Sequence, residues 1–133
     1  ELRFYDTVGD CLRQGKPDVL LLSSVLQYIE EPHALLKELL REGIGIVIVD
    51  RTPFHQQGSR DILTVQNVPF HIYRASYPCW LFSRERFLAS FAGAYSIAAE
   101  YDALGGTIDT GRMAAAYRGF IFQHREGFRD AGK

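Results

Sequence analysis

The passage from Asp18 to Arg51 limits the fold of this chain more than any other. It opens DVLLLSSVLQYIEEP and closes IGIVIVDR. Val19 to Leu22 is a continuous apolar run, the pattern of a strand covered on both faces. Pro32 suits the first position of a helix, where its missing N–H costs nothing. Leu35, Leu36, Leu39 and Leu40 then fall on one helical face, with Glu38 and Arg41 outside and able to pair weakly. Gly43 is a natural stop. Ile44 to Val49, rich in β-branched residues, is the second buried strand. Strand, helix and strand on short connections make a right-handed unit with parallel strands. Ligands of open α/β sheets bind just past the carboxyl ends of such strands. Ser23-Ser24 and Asp50-Arg51 occupy those ends and are the first candidates for a site.

The flanks extend this unit. Leu2 to Tyr5 alternates like a short strand, and Asp6 or Thr7 can cap a helical turn through Leu12. Residues 51–82 are expected to form a cap-like insertion within a single domain of residues 1–133. Strand character appears at Asp61–Asn67 and His71–Ala75, broken by Pro53, Pro69 and Pro78. Aromatic side chains crowd this segment, so it must pack on something, and a cap over a pocket is one option. Ser83 reads as a helix N-cap with Phe82 and Phe87 as its hydrophobic staple. Phe87, Leu88 and Phe91 form the buried face, and Gly93 ends the helix. Tyr95, Ile97, Ala99 and Tyr101 alternate as a strand. A glycine-bearing loop from Leu104 to Gly111 leads to a last strand over Ala114–His124. With no helix between them, these two strands are expected to be antiparallel. The polar tail from Arg125 is expected to fray.

Composition excludes several classes. The 133 residues make one domain, and 47% hydrophobic content supports a core. Fifteen basic against sixteen acidic residues leave a net charge of −1 with no basic block, so nothing points to nucleic acid. Apolar runs such as Val19–Leu22 are far too short to span a bilayer, and no signal peptide opens the chain. Cys11 and Cys79 read as free thiols of a cytoplasmic protein. Histidines and cysteines never fall at metal-ligand spacings, so no metal is expected. The chain opens on Glu1 directly before a strand-like stretch. It is therefore expected to begin inside a larger protein.

The order of elements resembles the second half of a class I S-adenosylmethionine-dependent methyltransferase. In that Rossmann-like fold the last two strands form an antiparallel pair at one sheet edge. DVLLLSSVLQYIEEP is similar to the fourth-strand motif of these enzymes, with Val25 to Ile29 and Pro32 as the segment after the strand. Together with VDRTPF (Val49–Phe54), LTVQNVP (Leu63–Pro69) and IYRASYPCW (Ile72–Trp80), it resembles a poorly characterised bacterial methyltransferase family. The family's glycine-rich loop and second-strand acidic residue have no counterpart here. Gly43-Ile44-Gly45 precedes a strand instead of following one, and Gly105-Gly106 lies late in the chain. The resemblance therefore implies a C-terminal portion lacking the first strands, with weak or no S-adenosylmethionine binding by itself.

Residue by residue, the resemblance places Asp6 on the adenine amino group, unless it caps the following turn. It places Ser23 and Ser24 near the methionine part and methyl group, unless they cap the strand exit. Gln27 and Tyr28 flank the cofactor pocket, and Leu26 is core. Asp50 is an acid–base or orienting group and Arg51 a fork for an acidic substrate group, or the two form an internal ion pair. His55 and His71 are candidate bases for an acceptor hydroxyl. Tyr73, Tyr77 and Trp80 are candidates to line the acceptor pocket or else pack as core. His33 and His124 read as surface or edge residues. Two functions follow: methyl transfer to a small-molecule acceptor, or a non-catalytic module serving in assembly. In either case the bare edge at Val19–Leu22 is expected to be covered by residues 2–5 or by a second copy in a homodimer.

Overall fold

The computed structural model describes residues 1–126. In chain order the elements are α1 (Val8–Arg13), β1 (Val19–Ser23), a 3-10 turn (Leu26–Tyr28), α2 (Pro32–Arg41), β2 (Ile46–His55), β3 (Ile62–Asn67), β4 (Ser76–Ser83), α3 (Arg84–Ala89), β5 (Tyr95–Asp109) and β6 (Ala114–His124). The class is α/β with one mixed sheet of six strands. Its order is β3-β4-β2-β6-β5, and β1 pairs with β2 off that path.

Strand β2 organises the sheet. On one side it runs antiparallel to β6 from Ile46↔Gln123 to Phe54↔Ala116. On the other side its first half, Ile46 to Asp50, pairs in parallel with β1. Its last two residues, Phe54 and His55, pair in parallel with Phe82 and Ser83 of β4. Two strands thus share one flank of β2, and the flank changes hands at Arg51. The register against β6 shifts between Val49 and Thr52, and Arg51 has φ +46°. The 3-10 turn fills the gap left where β1 departs and β4 has not yet arrived.

Helix α2 starts with Pro32 in its first turn as the sequence dictates, and Gly43 leaves it at φ +60°. Leu36 and Leu39 are buried, with Leu35 and Leu40 packed beside them. Ser83 caps α3 by accepting from Arg86 N at 3.3 Å. The staple rings of Phe82 and Phe87 lie 5.7 Å apart. One core cluster joins Leu22, Leu36, Val47, Val49, Phe54, Phe82, Phe87, Phe91, Phe120 and Phe122. Phe54 is its hub, with ring centroids 4.9 Å from Phe87 and 5.2 Å from Phe120. Truncating such a ring to alanine costs about 3–5 kcal/mol. The expected antiparallel pair is present as β5 and β6, the last strand spanning the residues anticipated.

Four expectations require correction. Residues 2–5 form no strand; Leu2 and Phe4 are exposed, so they do not cover β1. Strand β1 is covered on one face only, because Val19 and Leu21 point outward at 47% and 60% exposure. His71–Ala75 is not a strand; the strand lies at Ser76–Ser83 and contains Pro78. Proline is tolerated there because β4 meets β2 only at Phe82 and Ser83, so the other flank of Pro78 needs no donor. Finally, Leu104–Gly111 is not a loop. Strand β5 continues to Asp109 through a register shift between Asp102 and Thr107. The glycine there serves a close approach: a Cβ on Gly105 would sit 2.5 Å from the Tyr117 ring.

The segment 51–82 supplies the end of β2 and the β3–β4 hairpin, which extends the sheet. Of the tail from Arg125 expected to fray, Arg125 is tied down by its N–H to Ala94 O at 2.9 Å, and residues 127–133 lie outside the described residues. No helix among the described residues is long and apolar enough to cross a membrane.

Candidate functional site

Ser23-Ser24 closes β1 where the sequence puts it, but Asp50-Arg51 does not end its strand. Strand β2 runs on to His55, and the pair lies mid-strand at the register shift, where the parallel register Ser23↔Asp50 sets it beside the β1 exit. The Ser23 hydroxyl donates to Asp50 Oδ2 at 3.1 Å. Arg51 Nε and Nη2 donate to the same Ser23 oxygen at 3.3 and 3.2 Å. Arg51 Nε is also 3.7 Å from Asp50 Oδ2, an ion pair open to solvent on the arginine side. The other carboxylate oxygen, Asp50 Oδ1, accepts from the Tyr101 hydroxyl at 3.2 Å. Burial raises the Tyr101 phenol above its ordinary pKa, and the Asp50 charge and hydrogen bond add to that.

The backbone at this point is strained twice. Ser24 and Arg51 are the two non-glycine residues with positive φ, +55° and +46°, among the described residues. Such conformations cost of order 1–3 kcal/mol each and persist when surrounding contacts enforce them. Here the enforcing contacts are visible. Ser24 N donates to Asp50 O at 2.9 Å, holding the β1 exit against the middle of β2. Gln27, fully buried, donates from Nε2 to Arg51 O at 3.1 Å and to Ser24 Oγ at 3.2 Å. The Arg51 carbonyl can only accept, so the orientation of the Gln27 amide is fixed. Its Oε1 is buried without a hydrogen-bond partner. An unpaired buried acceptor costs about 1–3 kcal/mol. Arg118 Nε is the other buried side-chain polar atom without a partner among the described residues.

Next to the knot lies a cavity of ≈ 300 Å³ whose walls include Gln27, Tyr28, Glu30, Leu63, Pro78 and Trp80. Trp80 Nε1 donates to Ile29 O at 3.1 Å, which fixes the indole against the segment after β1. The Tyr28 and Tyr77 rings meet edge to face at 5.4 Å. The Tyr28 hydroxyl donates to Gln66 Oε1 at 3.3 Å. Burial, with Cys79, Tyr117 and Tyr77 nearby, raises the Tyr28 phenol, so it is a donor and not a phenolate at neutral pH. Three of the aromatic residues singled out from the sequence, Tyr28, Tyr77 and Trp80, therefore do converge.

The other candidates lie apart from this constellation. Asp6 does not follow a strand; it sits in an exposed bend before α1, whose cap is Thr7. His55 is buried, and both its ring nitrogens are used. Nε2 donates to Arg60 O at 2.9 Å and Nδ1 accepts from Gln57 N at 3.2 Å. No lone pair remains for an acceptor proton, and the side chain closes its own loop. His71 and Tyr73 are exposed on the turn between β3 and β4, where His71 lies edge-on to Phe70. His33, read as a surface residue, is half-buried and pairs with Asp61 Oδ2 at 2.5 Å. Cys11 and Cys79 are free. Among the described residues no three His, Cys, Asp or Glu side chains gather to hold a metal ion.

Sequence reasoning missed two members of the knot. Tyr101 was read only as part of an alternating strand. Gly119, opposite Tyr101 in the β5–β6 register, carries the ring across β6. A Cβ there would fall 2.1 Å from Tyr101 Cζ. The available signal was a lone glycine inside an apolar strand, a mark of close approach. No family model, curated protein or solved structure matches this chain.

Proposed function

We propose that this chain is the C-terminal portion of a cytoplasmic S-adenosylmethionine-dependent methyltransferase with a Rossmann-like sheet, acting on a small-molecule acceptor. The observation that carries the proposal is the hydrogen-bonded knot of Ser23, Ser24, Gln27, Asp50 and Arg51, formed where β1 ends beside the irregularity in the middle of β2. The carboxyl end of β1 is the kind of position at which open α/β sheets bind ligands. The antiparallel β5–β6 pair at the sheet edge agrees with the same reading.

The residues present suit one wall of the cofactor site. Ser23 and Ser24 offer hydroxyls, and Gln27 Oε1 offers an unpartnered acceptor. S-adenosylmethionine supplies an electrophilic methyl group whose transfer is a simple displacement. The work left to this chain is orientation, which can contribute about 7–11 kcal/mol without any base. Tyr28 stays with the cofactor side of the cavity, Trp80 lines its acceptor side, and Tyr77 packs behind Tyr28. Asp50 orients Arg51, and the Arg51 fork, with Nη1 unbonded among the described residues, meets an acidic group of the acceptor. His55 and His71 have no part in it.

Calorimetric titration of S-adenosylmethionine into the protein as the cell makes it tests the proposal. Saturable heat that Gln27→Ala reduces supports it. A folded protein that gives no heat refutes it.

One observation favours a second reading, a module that assembles through β1. Strand β1 has one strand neighbour, carries Val19 and Leu21 exposed, and lacks the charges and prolines that protect sheet edges. A second copy of the chain is the partner this reading commits to.

A further inference from the structure

We propose that the groove between α2 and α3 is a binding site for a small phosphorylated molecule. The groove has a volume of ≈ 730 Å³, and His33, Lys37, Arg41, Arg86 and His124 are five of its ten lining residues. No carboxylate lines it among the described residues. The proposal uses none of the residues assigned to the cofactor wall or the acceptor pocket.

The basic stripe follows from helix geometry. His33, Lys37 and Arg41 are spaced four residues apart on α2, which stacks them along one face. Arg86 and Ser90 repeat that spacing on the opposite wall. Lys16 and His124 meet the end of the groove at Gly43: a Cβ there would be in ordinary contact with Lys16 Nζ at 3.5 Å and His124 Nε2 at 3.6 Å. His124 Nδ1 accepts from Glu126 N at 3.2 Å, so in the neutral ring the proton sits on Nε2 as a donor toward that end.

The charges at the two ends differ. At one end Asp61, with 3% of its side chain exposed, binds both His33 and Arg86, at 2.5 and 2.9 Å. At the other end Lys16, Lys37 and Arg41 have no carboxylate within ion-pair distance among the described residues. Glu38, expected to pair with Arg41, does not. In a chain of net charge −1 this local excess is placed, not general. The Lys37 ammonium and the Arg41 fork on the groove wall, with Lys16 Nζ beside Gly43 at its end, match a phosphate with several oxygens. Leu40, Gly93 and Ala94 form an apolar floor beside it, suited to the organic body of a phosphate ester.

The test is a titration followed by the backbone amides of the labelled protein, first with inorganic pyrophosphate and then with a nucleoside monophosphate. Saturable shifts confined to residues 37–43 and 90–94 are expected, and tighter binding of the nucleotide. Lys37→Glu with Arg41→Glu, both on the surface, should leave the circular dichroism spectrum unchanged and weaken binding by about tenfold or more. Shifts that sodium chloride at equal ionic strength reproduces would overturn the proposal. So would an affinity unchanged in the double variant. Equal affinity for the two probes would overturn the role given to the apolar floor.

Discussion

Tyr101 reaches Asp50 across an intervening strand. The phenol of β5 donates to the carboxylate of β2 at 3.2 Å, passing over β6 at Gly119, where no side chain stands. The ring covers a glycine that would otherwise weaken the strand, an aromatic rescue in sheet terms. One packing decision on the far edge of the sheet therefore sets one hydrogen bond of the candidate site.

This relationship predicts a coupled pair of variants. Gly119→Ala should cost about 1–3 kcal/mol by overpacking against Tyr101. In a Tyr101→Ala background the same change should cost much less, since the obstructing ring is gone. Tyr101→Phe should lose only about 0.5–1.5 kcal/mol, the worth of one hydrogen bond. Urea denaturation of the four proteins of the cycle measures the coupling. Additive effects of Gly119→Ala and Tyr101→Ala would mean that the ring does not hold the place described.

Arg51 separates strain from side-chain chemistry. Its φ of +46° suits glycine, and the left-handed conformation costs other residues roughly 1–2 kcal/mol. Arg51→Gly and Arg51→Ala both remove the guanidinium, but only glycine relieves the backbone. The glycine variant should be the more stable of the two by about 1 kcal/mol, with ligand binding equally reduced in both. An alanine variant as stable as the glycine variant would show that the backbone at Arg51 stores no strain.

The sequence made the central unit legible because local signals agreed there. Pro32, the leucine stripe of α2, Gly43 and the β-branched run after it all point one way, and the structure follows. The end of β1 was legible for the same reason, and parallel register places Ser23 beside Asp50. That β2 runs past Asp50-Arg51 to His55 was not, because two polar residues mark a strand end and a mid-strand irregularity alike. Gln27 was visible only as a polar residue after a strand. Its burial follows from the handover between β1 and β4 on the flank of β2, which no local pattern encodes. Gly105 and Gly119 misled or stayed silent because a glycine that signals a turn looks the same as one that admits a ring. His55 shows the opposite failure, a residue of catalytic type whose two nitrogens are spent on its own loop.

The exposed face and edge of β1 carry a prediction about assembly. Leu21 is 60% exposed on a strand with one strand neighbour. If a second copy covers it, light scattering at micromolar concentration should give a dimer, and Leu21→Lys should give a monomer by placing a charge on the face. A wild-type monomer under those conditions would remove the assembly reading and leave the methyltransferase reading untouched.

Asp61 makes a prediction about pH. Its carboxylate accepts from Ser83 N at 2.8 Å, at the start of α3, and from Arg86 at 2.9 Å, and it pairs with His33 of α2. Burial pushes its pKa up. The hydrogen bonds from His33 and Ser83 and the charges of His33 and Arg86 outweigh that and hold it below the usual carboxylate range. A carboxyl depressed on folding binds fewer protons in the folded state than in the unfolded one. Its stabilisation is therefore complete above the unfolded pKa of about 3.9 and is lost as pH falls through the folded value. Asp61→Asn keeps the acceptor for Ser83 N but removes the charge, and at pH 7 should cost about 2 kcal/mol because His33 and Arg86 lose their partner. The stability gap between wild type and Asp61→Asn should be present at about pH 5 and close as the pH drops below about 4. Chemical denaturation at stepped pH measures both curves. A gap that persists undiminished at pH 2 would mean that the stabilisation does not come from the ionised carboxylate.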